Sequence, residues 1–365
     1  MCQPRGYRTR ARWQPPGAVA VRRAGDLTIA AVDVTELRYA LPPAAIAQHP
    51  VEPRDSARLL VALGDVVTHA TVTDLPGYLR RGDVVVLNTT RVIPARLRLS
   101  KRTGGSVEVL LLTPQDDAQR TWEALVRPGK RVPEGTELVD GSGAPAVVVG
   151  GVMGADGQRR VTLVAPEPPA DMLARLGVLP LPPYIHEELA DPERYQTVFG
   201  HDPGSVAAPT AGLHLTAELI DRCRHAGATV ETVTLDVGLG TFQPITADRV
   251  EDHRMHVERY SVPERTLDAC GGARRVVAVG TTSLRALESA AASGNASGST
   301  DLFIHGEYDF RVVDVLLTNF HLPGSSLLAL LEAFAGSRWR ALYSTALESG
   351  YRFLSFGDAM LIDRR

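Results

Sequence analysis

Four histidines beside polar turns are the first residues in this chain that suggest chemistry: His214, His253, His256 and His321. Imidazole titrates near neutrality, which suits it to proton transfer at ordinary pH. His253 and His256 are three positions apart, a spacing that puts both rings on one face if the segment is helical. Glu258 follows closely enough to orient one of them. Asp236 stands just before a Gly238-Leu-Gly240-Thr241 turn, and His214 closes a turn that begins Pro209-Thr210. Apart from His321, these residues fall between Ala208 and Tyr260, a run that reads as the core of an active site. Zinc is the competing use of such histidines. No HExxH-type pairing of histidine with a close carboxylate is present, so no metal is expected.

Other catalytic machineries lack their signatures. Ser283 lies in a strand-to-helix turn, but Gly280-Thr-Thr-Ser-Leu is not a G-x-S-x-G elbow. No P-loop occurs, and the Gly238-Leu-Gly240 turn is not a dinucleotide fingerprint, because Gln243 takes the third glycine position. One anion site does stand out. Thr281, Thr282 and Ser283 open a helix whose free amides attract negative charge, with Arg285 nearby to help.

Elements that can present these turns recur along the chain. Gly82–Asn88 carries four consecutive apolar residues without alternation, the mark of a strand buried on both faces, and it ends in the polar cluster Asn88-Thr-Thr-Arg91. Thr216 caps a helix over Ala217–His225 with Gly227 at its exit, and a strand follows with Val233, Leu235 and Val237 on one face. A second unit joins the buried strand Arg275–Gly280 to a helix over Leu284–Ala292. A third joins the strand Asp314–Thr318, through a turn with Asn319 and His321, to a helix over Leu327–Ala335. Strand–turn–helix repeats of this kind imply an α/β fold with one cleft outside the carboxyl ends of the strands. Ser293–Thr300 reads as a flexible loop, and Asp191–Phe199 as the start of a helix.

Between Val92 and about Val164 the pattern changes to short strands separated by Gly-rich turns, which predicts a small antiparallel barrel or sandwich. Arg91, Arg96, Lys130 and Arg131 help to make this segment basic, a candidate for phosphate-backbone contact. Arg54, Asp55 and Arg58 are ligand candidates too, although a surface turn with a local ion pair is the plainer reading.

With 365 residues, 44% of them hydrophobic, the chain can bury a large core and form two domains. A formal net charge of −3 gives no global sign of a nucleic-acid partner. The three cysteines show neither metal-ligand nor disulfide spacing, so a reduced cytoplasmic protein is expected. No apolar run reaches the roughly 18 residues of a membrane span. Residues 1–26, Arg-rich and without an acid before Asp26, read as a disordered extension or an overlong start rather than a transit peptide.

Several motifs together resemble one family. They include Gln48-His-Pro-x-x-Pro-Arg-Asp-x-x-Arg58, Arg91-Val-Ile-Pro-Ala-Arg96, Trp122-Glu-Ala-Leu-Val-Arg-Pro-Gly-Lys130 and Leu179-Pro-Leu-Pro-Pro-Tyr-Ile185. Further along come Ala207-Ala-Pro-Thr-Ala-Gly-Leu-His214, Val237-Gly-Leu-Gly-Thr-Phe242, His253-Arg-Met-His256, Val279-Gly-Thr-Thr-Ser283 and Asn319-Phe-His-Leu-Pro323. From about residue 33 onward, and in this order, the chain is similar to the S-adenosylmethionine:tRNA ribosyltransferase-isomerases of queuosine biosynthesis.

The resemblance implies a mixed-sheet α/β catalytic domain over 27–91 and 166–365, with a small antiparallel β-barrel inserted at 92–165. It implies transfer and isomerisation of the ribosyl part of S-adenosylmethionine onto 7-aminomethyl-7-deazaguanine in a tRNA anticodon loop. Epoxyqueuosine-tRNA forms, and adenine and methionine leave. On this reading His253, His256, Glu258, His214 and Asp236 belong to the catalytic group. Pro209, Thr210, Gly238, Gly240, Thr241, Thr281, Thr282, Ser283, Arg285, Asn319 and His321 would hold the donor. Arg54, Asp55, Arg58, Asn88, Arg91, Arg96, Lys130 and Arg131 would meet the tRNA. A cytoplasmic monomer is expected.

Two positions depart from the family pattern. Asn88-Thr89-Thr90-Arg91 replaces Asn-Asp-Thr-Arg, and Asp236 replaces a histidine. Two further readings therefore stay open: an enzyme using S-adenosylmethionine on a small-molecule acceptor or on the cofactor alone, and a catalytically silent nucleotide- or RNA-binding protein.

Overall fold

The computed structural model describes residues 33–153, 157–238 and 244–365. The N-terminal extension at 1–26 and the turn residues Gly240 and Thr241 lie outside the described residues.

Nine strands form the larger sheet. In chain order they are β1 (Arg58–Leu63), β2 (Val66–Thr71), β3 (Asp83–Asn88), β13 (Thr229–Leu235), β14 (Glu258–Ser261), β15 (Arg275–Val279), β16 (Ser297–Thr300), β17 (Val315–Asn319) and β18 (Ala359–Asp363). Across the sheet the order is β16-β14-β13-β3-β15-β17-β18-β1-β2. Its centre, β13-β3-β15-β17, is parallel, while β14, β16, β18 and β2 each join a neighbour antiparallel. The sheet is therefore mixed, as expected. All six residues of β3 are buried. Val84 and Val86 enter one core with Leu284 and Leu328, while Val85 and Leu87 enter another with Leu219 and Cys223. Strand alternation thus feeds apolar side chains to both faces, which is why the sequence of β3 shows no polar alternation.

Among the described residues α2 (Ala217–His225), α3 (Glu264–Gly272), α4 (Gly280–Ser293), α5 (Ser326–Ala335) and α6 (Arg338–Glu348) pack on this sheet or on one another, while α1 (Pro169–Leu176) sends Met172 and Leu173 into a separate core. Helix α2 has the expected bounds, and the Thr216 side chain accepts from Leu219 N–H to cap it. Ser325 caps α5 in the same way, and Gly336 closes it at φ +63°.

A second, seven-stranded sheet follows β4 (Thr90–Val92). It contains β5 (Arg96–Lys101), β6 (Ser106–Pro114), β7 (Thr121–Arg127), β8 (Glu137–Val139), β9 (Pro145–Met153), β10 (Gln158–Leu163) and β11 (Gly177–Val178). Six strands run β5-β6-β7-β10-β9-β8, and β8 pairs back onto β5, so the antiparallel sheet closes into a barrel. Leu97, Val109, Trp122, Val147 and Val161 fill its interior. A further short strand, β12 (Asp202–Ser205), runs parallel to β4 and ties the barrel's entry to the larger sheet.

Several local expectations need correction. Ser297–Thr300, read as loop, is the edge strand β16, held by the backbone ladder to β14 despite its Gly and Ser content. Pro192–Tyr195 makes only a 3-10 turn. Residues Thr281–Ser283 are not a turn before a helix but its first turn, because the left-handed Gly280 (φ +86°) lets α4 begin directly at the end of β15. His253 and His256 do not share a helix face: Val250–Asp252 is a 3-10 turn, and residues 253–257 are irregular chain leading into β14.

Candidate active site at the carboxyl edge of the sheet

Parallel β3, β13, β15 and β17 all end on one edge, and antiparallel β18 starts there. That shared edge brings together Asn88, Asp236, Gly280, Asn319 and Asp358, although they are far apart in the chain. A cavity of about 350 Å³ opens here, lined by Pro209, Thr210, Thr281, Thr282, Asn319 and His321 among others. A neighbouring cavity of about 310 Å³ shares Thr210, Asn319, His321 and Leu327 with it and extends to Tyr184 and Ser355.

Helix α4 points its N-terminus at the first cavity. No side chain caps it, since its N-cap is Val279, so its leading amides are left for a ligand. Thr282, 7% exposed, lines the same cavity, and its Oγ1 has no hydrogen-bond partner. A buried hydroxyl without a partner is costly unless something else supplies one. Ser283 is different: its hydroxyl donates back to Val279 O at 2.8 Å and serves the helix.

The opposite wall is a hydrogen-bond chain. Asn319 Nδ2 donates to Asp358 O at 3.3 Å, which fixes the amide's orientation because a carbonyl can only accept. Thr210 Oγ1 then donates to Asn319 Oδ1 at 2.9 Å, and Nδ2 also donates to His214 Nε2 at 3.1 Å. A neutral His214 therefore carries its proton on Nδ1. Burial, helped by the charges of Arg352, Arg194 and Arg54, pushes His214 down to about 4. Burial alone takes His321, bonded to Thr318 Oγ1 at 3.0 Å, down to about 3. Both rings stay neutral near pH 7, so they suit hydrogen bonding in the site rather than proton transfer.

Glu258 and Arg285 were expected in separate roles, one orienting a histidine and the other holding an anion. They pair with each other instead, each no more than 5% exposed. Glu258 Oε1 also accepts from Gly238 N–H at 2.9 Å, and Arg285 Nε donates to Leu302 O at 3.2 Å. The pair braces the end of β13 against α4. His253 is half-buried, edge-on to Phe303 at 5.2 Å, while His256 is exposed. Neither lines the cavity at α4. They are close enough that His256 adds to the effect of burial in lowering the pKa of His253. The four histidines thus form two groups, not one cluster.

Asp236 sits in a separate cavity of about 340 Å³ between β6, β13 and β14. Burial raises its carboxyl above the usual range, opposed by Arg259 at 3.3 Å. Gly238 lines the same cavity.

Most of the residues expected to meet tRNA have structural tasks. Arg54 donates to the carbonyls of Gln196, Glu193 and Leu213, locking the 3-10 turn that contains it to two others. Arg58 donates to Ser349 O at 2.7 Å and lies over the Tyr351 ring. The side chain of Asn88 bonds both backbone groups of Leu235, so it ties β3 to β13. Asp55 lies in the turn with Arg54, and its carbonyl accepts from Thr73. Arg96 reaches Leu181 O at 3.4 Å and lies 3.8 Å from Glu108. Arg91 pairs with Glu193 at 2.6 Å on the surface. Lys130 and Arg131 are exposed on the turn after β7. Thr318, Asp358 and Gly204 are site residues that no sequence pattern singled out, because only the strand order brings them to this edge. Among the described residues no group of three or more His, Cys, Asp or Glu could hold a metal ion, and no helix is long and apolar enough to cross a membrane.

Comparison with known proteins agrees with this architecture. The family described as "Queuosine biosynthesis protein" matches residues 34–362. The chain is 49% identical over 342 residues to an S-adenosylmethionine:tRNA ribosyltransferase-isomerase of Moorella thermoacetica, covering 90% of this chain and 99% of that one. It is 50% identical over 333 residues to the protein of the same name from Gloeobacter violaceus, covering 89% and 94%. Its fold is similar to the crystal structure of an S-adenosylmethionine tRNA ribosyltransferase from Thermotoga maritima. That match has a TM-score of 0.50 and 37% identity, and covers 90% of this chain and 99% of that chain.

Proposed function

The chain belongs to the queuosine biosynthesis protein family, and from that premise we propose that it is an S-adenosylmethionine:tRNA ribosyltransferase-isomerase. It moves the ribosyl part of S-adenosylmethionine onto 7-aminomethyl-7-deazaguanine in a tRNA anticodon loop, giving epoxyqueuosine-tRNA, adenine and methionine. A tRNA substrate places the enzyme in the cytoplasm. We assign 27–91 and 166–365 to the catalytic α/β part, apart from α1 and β11, which pack on the barrel inserted at 92–165, and the basic face of that barrel, with Lys130 and Arg131, meets tRNA phosphates.

The observation that carries this reading is the uncapped start of α4 beside the unpartnered Thr282 hydroxyl. Together they are a receptor for a carboxylate, and the methionyl arm of S-adenosylmethionine brings one. Thr210, Asn319 and His321 line the two joined cavities that take the rest of the donor. The sulfonium makes the adjacent ribose C5′ proton acidic, so a base must remove it, and departing adenine benefits from an acid. His253 and His256, outside the donor cavity on the segment that leads to Val257 at the rim of the Asp236 cavity, are assigned these proton transfers. Incubation with S-adenosylmethionine, with and without tRNA bearing the deazaguanine base, tests the reading. Adenine is expected only with tRNA. Release without tRNA would mean another acceptor, and binding without release a silent protein.

Thr282→Val removes the hydroxyl at nearly constant volume and leaves no protein group unpaired. Stability is expected to stay within about 0.5 kcal/mol of wild type, while KM for S-adenosylmethionine rises roughly tenfold for a lost bond to a charged group. An unchanged KM would remove Thr282 from the donor site.

A further inference from the structure

We propose that the cavity beside Asp236 receives the acceptor base, with the Asp236 carboxylate as the counter-charge of its cationic aminomethyl arm. This rests on the transfer reaction proposed above and adds where the acceptor docks. The cavity lies where the barrel meets the sheet. Leu112, Thr113 and Pro114 at the end of β6 form one wall, and Val257 and Arg259 of the 253–259 segment form another. Val257 is 63% exposed, an apolar side chain at the rim that a flat heteroaromatic ring can cover.

Asp236 supplies the polar anchor. Arg259 reaches only its Oδ2, at 3.3 Å, and Arg259 is itself 58% exposed at the solvent edge. Among the described residues the Arg259 guanidinium bonds Oδ2 and not Oδ1, and the Asp236 side chain keeps 27% of its surface open. Gly204 makes room for it: a Cβ there would stand 2.9 Å from Oδ1. Glu258, whose charge Arg285 offsets, and Asp202 are the other charged groups that act on Asp236. The local field thus favours a cation, and burial strengthens any pair formed there. Position completes the argument. Val237 lines both this cavity and the one at the start of α4, so a base in the first lies one residue's width from a donor in the second. A base with a short cationic arm is the occupant that matches the apolar side chains of Leu112, Pro114 and Val257, the Asp236 carboxylate beside a Glu258 already paired with Arg285, and that adjacency.

The test compares tRNA bearing 7-aminomethyl-7-deazaguanine with the same tRNA bearing the uncharged 7-cyano base, by equilibrium binding without donor. Wild type is expected to prefer the aminomethyl form roughly tenfold, and Asp236→Asn to abolish that preference. Gly204→Ala, which crowds Oδ1 without removing charge, is expected to shrink it. In turnover, Asp236→Asn is expected to raise KM for this tRNA and leave KM for S-adenosylmethionine within about twofold. A preference that survives Asp236→Asn would overturn the proposal, as would a rise confined to KM for S-adenosylmethionine, which would assign Asp236 to the sulfonium. Because the binding arm needs no turnover, absence of adenine from the wild type would sink the reaction while leaving the cavity's preference to be judged separately.

Discussion

Glu258→Ala is expected to destabilise the protein by about 3–5 kcal/mol, the cost of leaving a buried charge without its partner. The Arg285 guanidinium is 4% exposed, its Nη1 meets the Glu258 carboxylate, and its Nη2 has no hydrogen-bond partner. Removing the carboxylate leaves a desolvated cation inside the sheet–helix interface. It also strips Gly238 N–H of its acceptor, at the end of β13 where the site begins. Arg285→Met alone is expected to be costly for the mirror reason, since a buried carboxylate then stands alone. The combined variant Glu258→Leu with Arg285→Met removes both charges and is expected to lose far less than the sum of the two single changes. Urea unfolding midpoints measure all three, with the denaturation slope checked for constancy. If Glu258 instead oriented a catalytic histidine, Glu258→Gln would depress turnover and leave the midpoint in place. That result would restore the role its sequence position suggested.

The contrast shows what sequence can and cannot carry. β3 and α2 were legible because burial on two faces and a Thr216 cap leave local signatures. The barrel's existence was legible from its turns, but its closure through β8 and β5 depends on a long-range pairing that no local pattern encodes. Strand β16 was missed because its Ser-Gly-Ser-Thr sequence has low strand propensity, and tertiary pairing with β14 overrides it. At the site, the polar turns were legible and their partnerships were not. Glu258 and Arg285 are 27 residues apart, and His214 and Asn319 are 105 apart. Only the strand order decides which of these polar groups meet. Asp236 illustrates the same limit: its type marked a departure, but its cavity is formed by a barrel strand and two segments of the larger sheet.

His253→Ala is expected to lower adenine release by roughly 100-fold or more, the range for loss of a positioned acid or base. The ring is edge-on to Phe303, which in turn lies 4.6 Å from the His305 ring, so the variant's folded fraction should be fixed by its thermal transition before rates are compared. His225→Ala, on the exposed end of α2, is the surface control. A loss in His253→Ala no greater than in that control would remove His253 from the chemistry. The pH profile gives the sharper test. Burial, and then repulsion from His256, lower the pKa of His253 below the ordinary histidine value, so its neutral, proton-accepting form prevails at pH 7. The rate should therefore hold at neutrality and fall as pH drops through that lowered pKa. His256→Asn also removes the second proton-transfer group, so its residual rate is followed against pH: with the repelling charge gone, the pKa of His253 rises and the acid limb of that residual rate moves to higher pH. If His253 is the donor of a proton to adenine rather than the base, the limb has the opposite sense and activity is lost as pH rises. An acid limb that stays in place in His256→Asn would mean that another group controls it.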